Sequence, residues 1–194
     1  MRERAALRAW TAAHDLGETR MTLVMAGVKH KAVVRVDDVA VTADLNRLDM
    51  RLFRTAWQGR PLWFDYAHTG TEHAVAFVDN VDDVDAEVCG RLVRHHEALT
   101  SVGGANVNFV QVLPGDELRI RTYERGVEAE TLSCGSGSVA ATAVARVRGL
   151  VSNGGSVTVH NRSGTPLTVQ PTDFPGDSFW VSGLVSYVFR GELA

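Results

Sequence analysis

Tyr123-Glu124-Arg125-Gly126-Val127-Glu128-Ala129-Glu130-Thr131-Leu132-Ser133-Cys134-Gly135-Ser136-Gly137 runs directly into an alanine-rich segment over residues 138–148 that stops at Gly149. The spacing predicts a helix over 138–148 with Cys134 at its mouth. A thiol at a helix start faces unpaired backbone N–H groups and the positive end of the helix dipole. Both favour thiolate over thiol, which predicts a pKa below the free value of about 8.5. Gly135 and Gly137 let the backbone come close to a ligand, and amides in this position suit a carboxylate. The four residues Cys-Gly-Ser-Gly taken alone also fit a small buried hydrophobe ahead of a glycine turn. The helix is apolar nearly all round, so it belongs inside the protein, wrapped by its own sheet.

Upstream, Asn106–Val112 and Glu117–Tyr123 alternate like an antiparallel pair across Pro114-Gly115-Asp116. His73–Val78 reads as a further strand and Ala86–His95 as a helix. Downstream, Val157–His160, Leu167–Gln170 and Phe179–Gly183 read as strands, with Val185–Phe189 as a last one. Near the start, residues 2–16 read as a helix stopped at Gly17. Strands follow at Met21–Met25, Ala32–Val36 and Val39–Leu45. Residues 46–60 show no clear element and leave room for a domain junction.

The order helix, Gly stop, strand, Gly turn, strand therefore occurs twice, over 2–36 and over 138–170. Chance recurrence in an α/β chain is one explanation. A duplicated fold with a site between the copies is the other. The second copy is introduced by Cys-Gly-Ser-Gly.

Bulk properties narrow the function classes. The 194 residues carry a formal charge of -3 and are 45% hydrophobic, giving no reason to expect nucleic acid or an anionic membrane as partner. No apolar run approaches the roughly 20 residues of a membrane helix, and the first residues lack the apolar stretch of a secretory signal. Two cysteines, Cys89 and Cys134, are too few for a disulfide framework, so the expectation is a reduced, cytoplasmic protein. No metal-ligand spacing appears.

The segment Tyr123–Gly137 closely resembles the signature of the diaminopimelate epimerase family, in which Tyr-Glu-Arg-Gly leads through Glu-Thr to Cys-Gly-Thr/Ser-Gly. Gly104-Ala105-Asn106-Val107-Asn108-Phe109-Val110 resembles the family's Val-Asn-Val-Asn-Phe-Val strand. Gly70-Thr71-Glu72-His73-Ala74-Val75 resembles its Gly-Asn-Pro-His segment, and Arg94-His95-His96 the following helix end. Arg4 and Arg8 sit where the family's first central helix carries arginines.

The resemblance implies an α/β (α+β) fold of two pseudo-repeated halves, each a curled mixed sheet around a central helix. Here residues 1–48 would be an incomplete N-terminal half, 60–184 a complete C-terminal half, and 185–194 a strand returning to the first. It also implies amino-acid Cα inversion without cofactor or metal, by two cysteines on opposite faces of the substrate. Inversion needs a base on one face and an acid on the other. By position, Cys134 matches the second-half cysteine, and His73 and Glu124 match residues that orient the site and tune thiol acidity. Asn106, Glu124 and Arg125 match groups that bind the substrate's α-amino and α-carboxylate ends, with the amides of Gly135 and Ser136 completing the anchor. Structural duties are open for several of them: a core hydrogen bond for His73, a turn ion pair for Glu124 and Arg125, edge caps for Asn106 and Asn108.

Two departures bear on function. The family's first-half Cys-Gly-Asn-Gly motif and its preceding strands do not occur in these residues, and Cys89 reads instead as a buried helix thiol. The expectation is a companion subunit that carries them, giving a heterodimeric epimerase for an amino-acid-like or peptidyl substrate. Secondly, Thr71-Glu72 replaces Asn-Pro where the substrate's far end is recognised, which speaks against diaminopimelate itself. An isomerase or cyclase that does not use two bases, and a non-catalytic subunit, are the alternatives.

Overall fold

The computed structural model describes residues 18–25, 27–35 and 37–186. The helix expected over 2–16, Ala26 of the first turn, and all but Val185 and Ser186 of the expected last strand lie outside them.

Among the described residues the backbone forms twelve strands and two α-helices. The strands are β1 (Thr19–Met25), β2 (Val28–Val34), β3 (Asp38–Asp44), β4 (Arg47–Trp57), β5 (Arg60–His68), β6 (Glu72–Phe77), β7 (Asn106–Leu113), β8 (Glu117–Glu124), β9 (Ala129–Thr131), β10 (Val157–His160), β11 (Leu167–Pro171) and β12 (Ser178–Leu184). The helices are α1 (Ala86–Arg94) and α2 (Gly135–Val147). One sheet joins the strands in the order β1-β2-β3-β12-β11-β10-β8-β7-β6-β5-β4, with β9 added beside β8. Pairs β6–β7 and β8–β10 are parallel and the rest antiparallel, so the sheet is mixed. Each parallel pair is separated in sequence by a helix, as a crossover requires.

Alternation along the strands divides the core in two. Val75, Val110, Leu118 and Ile120 pack with Val139, Ala140, Ala143 and Val144 of α2. Their neighbours Ala74, Ala76, Val107, Phe109 and Tyr123 face the other way, onto Ala86, Cys89 and Val93 of α1. Period-two side chains thus give each face of the sheet its own helix. α2 contacts β5, β6, β7, β8, β11 and β12, so the sheet curls round it. Every residue from Gly137 to Arg146 is buried, as its all-round apolar pattern predicts. Val139 and Val144 each contribute about 1.5–3 kcal/mol by burial. The helix ends in a paired C-cap: Gly149 N donates to Arg146 O at 2.9 Å and Leu150 N to Ala145 O at 2.8 Å. Gly149 sits at φ +67°, which glycine adopts without strain.

The strand order is symmetric about the β3–β12 pair: hairpin β1–β2 then β3 on one side, hairpin β10–β11 then β12 on the other. This is the strand portion of the repeat read in the sequence, extended by one strand. Residues 46–60, expected to lack an element, instead form most of the long hairpin β4–β5, turning at Gln58-Gly59. A register shift between Asp49 and Phe53, with Arg51 at φ +51°, breaks the alternation that would have revealed it. Cys89 is a buried helix thiol, pushed up to about 12 by desolvation and then by Asp85. Among the described residues no helix is long and apolar enough to cross a membrane.

Candidate active site

Cys134 is the N-cap of α2. Its backbone is extended (φ -127°, ψ 110°) and its Sγ accepts from Gly137 N at 3.4 Å. Ser136 Oγ lies 3.5 Å from the same sulfur. Ser138 closes the first turn, its Oγ donating to Cys134 O at 2.9 Å. Among the described residues, the amides of Gly135 and Ser136 meet no acceptor. These are two of the donors that a helix start always leaves over.

The thiol's acidity differs from the expectation. Burial pushes the Cys134 pKa up, above the ordinary thiol value. The bond from Ser136 and the Gly137 amide oppose that shift, while the negative charge of Glu124 adds to it. The helix mouth supplies the stabilising donors, but only 8% of the residue is exposed, and desolvation outweighs them. Cys134 therefore stands as a thiol at neutral pH.

Behind the cysteine lies a buried polar chain. Thr122 Oγ1 donates to Asn108 Oδ1 at 3.0 Å, and Asn108 Nδ2 lies 3.1 Å from His73 Nδ1. His73 Nε2 is 3.0 Å from Thr71 Oγ1. Since Asn108 Nδ2 only donates, His73 Nδ1 accepts and the proton rests on Nε2, which donates to Thr71. The ring is fully buried, and burial, with Arg125 and His68 adding to it, pushes its pKa down to about 3. With both nitrogens engaged and the ring neutral, His73 is placed to orient its neighbours and not to exchange protons. Gly137 lets this chain approach the helix: a Cβ there would fall 2.5 Å from Asn108 Oδ1 and 3.3 Å from Cys134 Sγ.

A second chain links the loop before β6 to the end of β8. Asn106 Nδ2 donates to Glu72 O at 3.0 Å, and Asn106 Oδ1 accepts from Arg125 N at 2.9 Å. Arg125 Nη1 donates to Val102 O and Gly104 O at 3.2 and 2.9 Å, while Nη2 forms an ion pair with Glu72 Oε2. Arg125 therefore pairs with Glu72, not with its neighbour Glu124. Thr69 Oγ1 donates to Ser136 O at 3.2 Å, tying the same loop to the cysteine turn.

The structure thus brings Thr71, His73, Asn106, Glu124, Arg125, Cys134, Gly135 and Ser136 into one connected region. Sequence reasoning passed over Thr69, Thr122 and the side chain of Glu72, and it named Gly137 for its closeness to a ligand and not for its closeness to Asn108. Asn108 carried a usable signal, since it shares a strand face with Asn106, two residues away.

With this geometry in view, comparison with known proteins is informative. A family model described as diaminopimelate epimerase matches residues 66–173. The diaminopimelate epimerase of Aquifex aeolicus (strain VF5) is 42% identical over 131 residues, 66% of this chain and 45% of that protein. That of Methanothrix thermoacetophila is 48% identical over 127 residues, 66% of this chain and 42% of the relative. That of Archaeoglobus fulgidus is 35% identical over 188 residues, 91% and 64% of the two chains. The chain spans about half the length of the first two relatives. Among solved structures, a hydroxyproline epimerase from Agrobacterium vitis superposes with a TM-score of 0.67 at 22% identity, covering 92% of this chain and 61% of the other. A probable proline racemase from Agrobacterium radiobacter K84 gives 0.70 at 18% identity, covering 99% and 66%. At these identities the two structures speak to the fold, which they share with this chain. The family model covers more than half of the residues, and the chain belongs to the diaminopimelate epimerase family.

Proposed function

We propose that this chain forms one face of a cofactor-independent epimerase or racemase that moves a proton at the Cα of an amino acid, or of an aminoacyl or peptidyl group. The observation that carries it is Cys134: a buried sulfur at the mouth of a buried helix, beside amides whose donors are unused among the described residues. The substrate carboxylate accepts from Gly135 and Ser136 N–H, and the Glu124 carboxylate faces its α-ammonium group. That arrangement holds charge where a carbanion develops.

The chemistry balances with two groups. A base on the far side takes the Cα proton, leaving its electron pair on a carbanion delocalised into the carboxylate. Cys134 S–H delivers its proton to the other face and becomes a thiolate. Nothing is oxidised or reduced. Because burial favours the thiol, Cys134 is the acid in the resting enzyme and the opposing group the base. In the reverse direction the roles exchange. The opposing thiol comes from a companion chain.

Solvent-deuterium incorporation at Cα tests this, using the protein purified with any companion it retains. Free amino acids and dipeptides should exchange, and Cys134→Ala should abolish inversion. Exchange that survives Cys134→Ala unchanged would refute the assignment. A stoichiometric co-purifying chain with a cysteine at the cleft is expected. A folded, monomeric, fully active chain would remove the companion from the scheme.

A further inference from the structure

We propose that Glu72 sets the substrate class of this site: it occupies Arg125, so the site selects amino acids whose far end is neutral or cationic over those bearing a second carboxylate. This deepens, and rests on, the proton-transfer role assigned above.

The side chains of Glu72 and Arg125 are only 18% and 27% exposed, and they form an ion pair within the site's own wall. Arg125 is committed on its other edge too. Both Nη1 protons are spent on the carbonyls of Val102 and Gly104, and its backbone amide on Asn106. Asn106 returns to the backbone of Glu72, so the pair is held at both ends. What remains for a ligand is the Nε and Nη2 edge of a guanidinium whose charge Glu72 already compensates.

The charge balance follows. Among the described residues Glu72 and Glu124 contribute two negative charges and Arg125 one positive, and a neutral His68 beside Glu72 leaves that balance negative. The α-carboxylate of a substrate has the helix mouth as its own anchor. Among the described residues of this wall a second carboxylate meets no uncompensated guanidinium, and it would lie against Glu72 where like charges at short range are costly. A hydroxyl, an amide, an alkyl group or an ammonium group meets no such penalty, and an ammonium group is attracted.

The test compares deuterium incorporation into lysine and leucine with that into glutamate and 2-aminoadipate, free and as amino-terminal residues of dipeptides, using the protein with its companion retained. The wild type should favour the neutral or cationic side chains by tenfold or more in kcat/KM. Glu72→Gln, which keeps size but removes the charge, should shift that ratio at least tenfold towards the acids, and Glu72→Ala should shift it the same way. A wild-type preference for 2-aminoadipate or glutamate overturns the role of Glu72 while leaving Cα proton transfer intact. So does an unchanged ratio in folded Glu72 variants. Absence of exchange with every compound overturns both. The wild-type ratio decides the matter even if neither variant folds.

Discussion

Lowering the pH should cost this fold stability through one side chain, His73. In the unfolded chain an ordinary histidine takes up its proton near pH 6.5; in the fold burial pushes His73 down to about 3. Between those values the unfolded state binds a proton that the native state refuses, so stability falls as the solution is acidified. The contribution is fully present above pH 6.5 and is lost progressively as pH falls towards 3. At pH 4 the gap from 6.5 is two and a half powers of ten in proton activity, which is about 3 kcal/mol. Several carboxylates held below their usual range, Asp116 and Glu128 among them, push in the same direction. The informative quantity is therefore a difference. Urea unfolding followed by tryptophan fluorescence at pH 7 and pH 4 should show wild type losing about 3 kcal/mol more than His73→Gln across that interval. Glutamine is neutral at both pH values, so any fixed cost of the substitution cancels. Parallel profiles, agreeing within about 1 kcal/mol, would show that the imidazole gains a proton without leaving the fold and would refute the buried neutral ring.

Cys134 provides a second pH dependence. Since burial and Glu124 raise its pKa, iodoacetamide labelling of the peptide that contains it should still be accelerating at pH 9, and Cys89 should label more slowly throughout. A rate that levels off below pH 7 would mean an activated thiolate and would reverse the acid assignment. Gly137→Ala places a Cβ 2.5 Å from Asn108 Oδ1, an atom already held by Thr122. Overpacking of this kind costs about 1–3 kcal/mol, to be read from chemical denaturation, and Cα exchange should fall with it because Cys134 Sγ is the next atom in the way. Unchanged stability and exchange would mean that this contact is not tight.

Much of the architecture was legible because it is written locally. The buried helix followed from its run of alanine and valine over 139–145, interrupted only by Thr142, and β7 and β8 from alternation across Pro114-Gly115-Asp116. The repeat was visible as two helix-and-hairpin units, although the first helix falls outside the described residues. The β4–β5 hairpin was not legible, because its exposed arginines and the bulge at Arg51 erase the period of two. In the site, the cap position of Cys134 could be read from the glycines after it. Its acidity could not, since that depends on how completely distant strands shield the sulfur. The partner of Arg125 lies 53 residues away in sequence, and no local pattern discloses such a pair. Likewise Thr122 supports the His73 chain only because the β7–β8 register sets it opposite Asn108.

The pairing of β12 with β3 limits how substrates reach this site. Seven residues of each strand run side by side, from Ser178 against Asp44 to Leu184 against Asp38. Swinging one lobe away from the other like a jaw would peel that seam apart at about 1 kcal/mol per hydrogen bond broken. The strands on both sides of the seam therefore move as one continuous floor, and substrate entry leaves that floor unbroken.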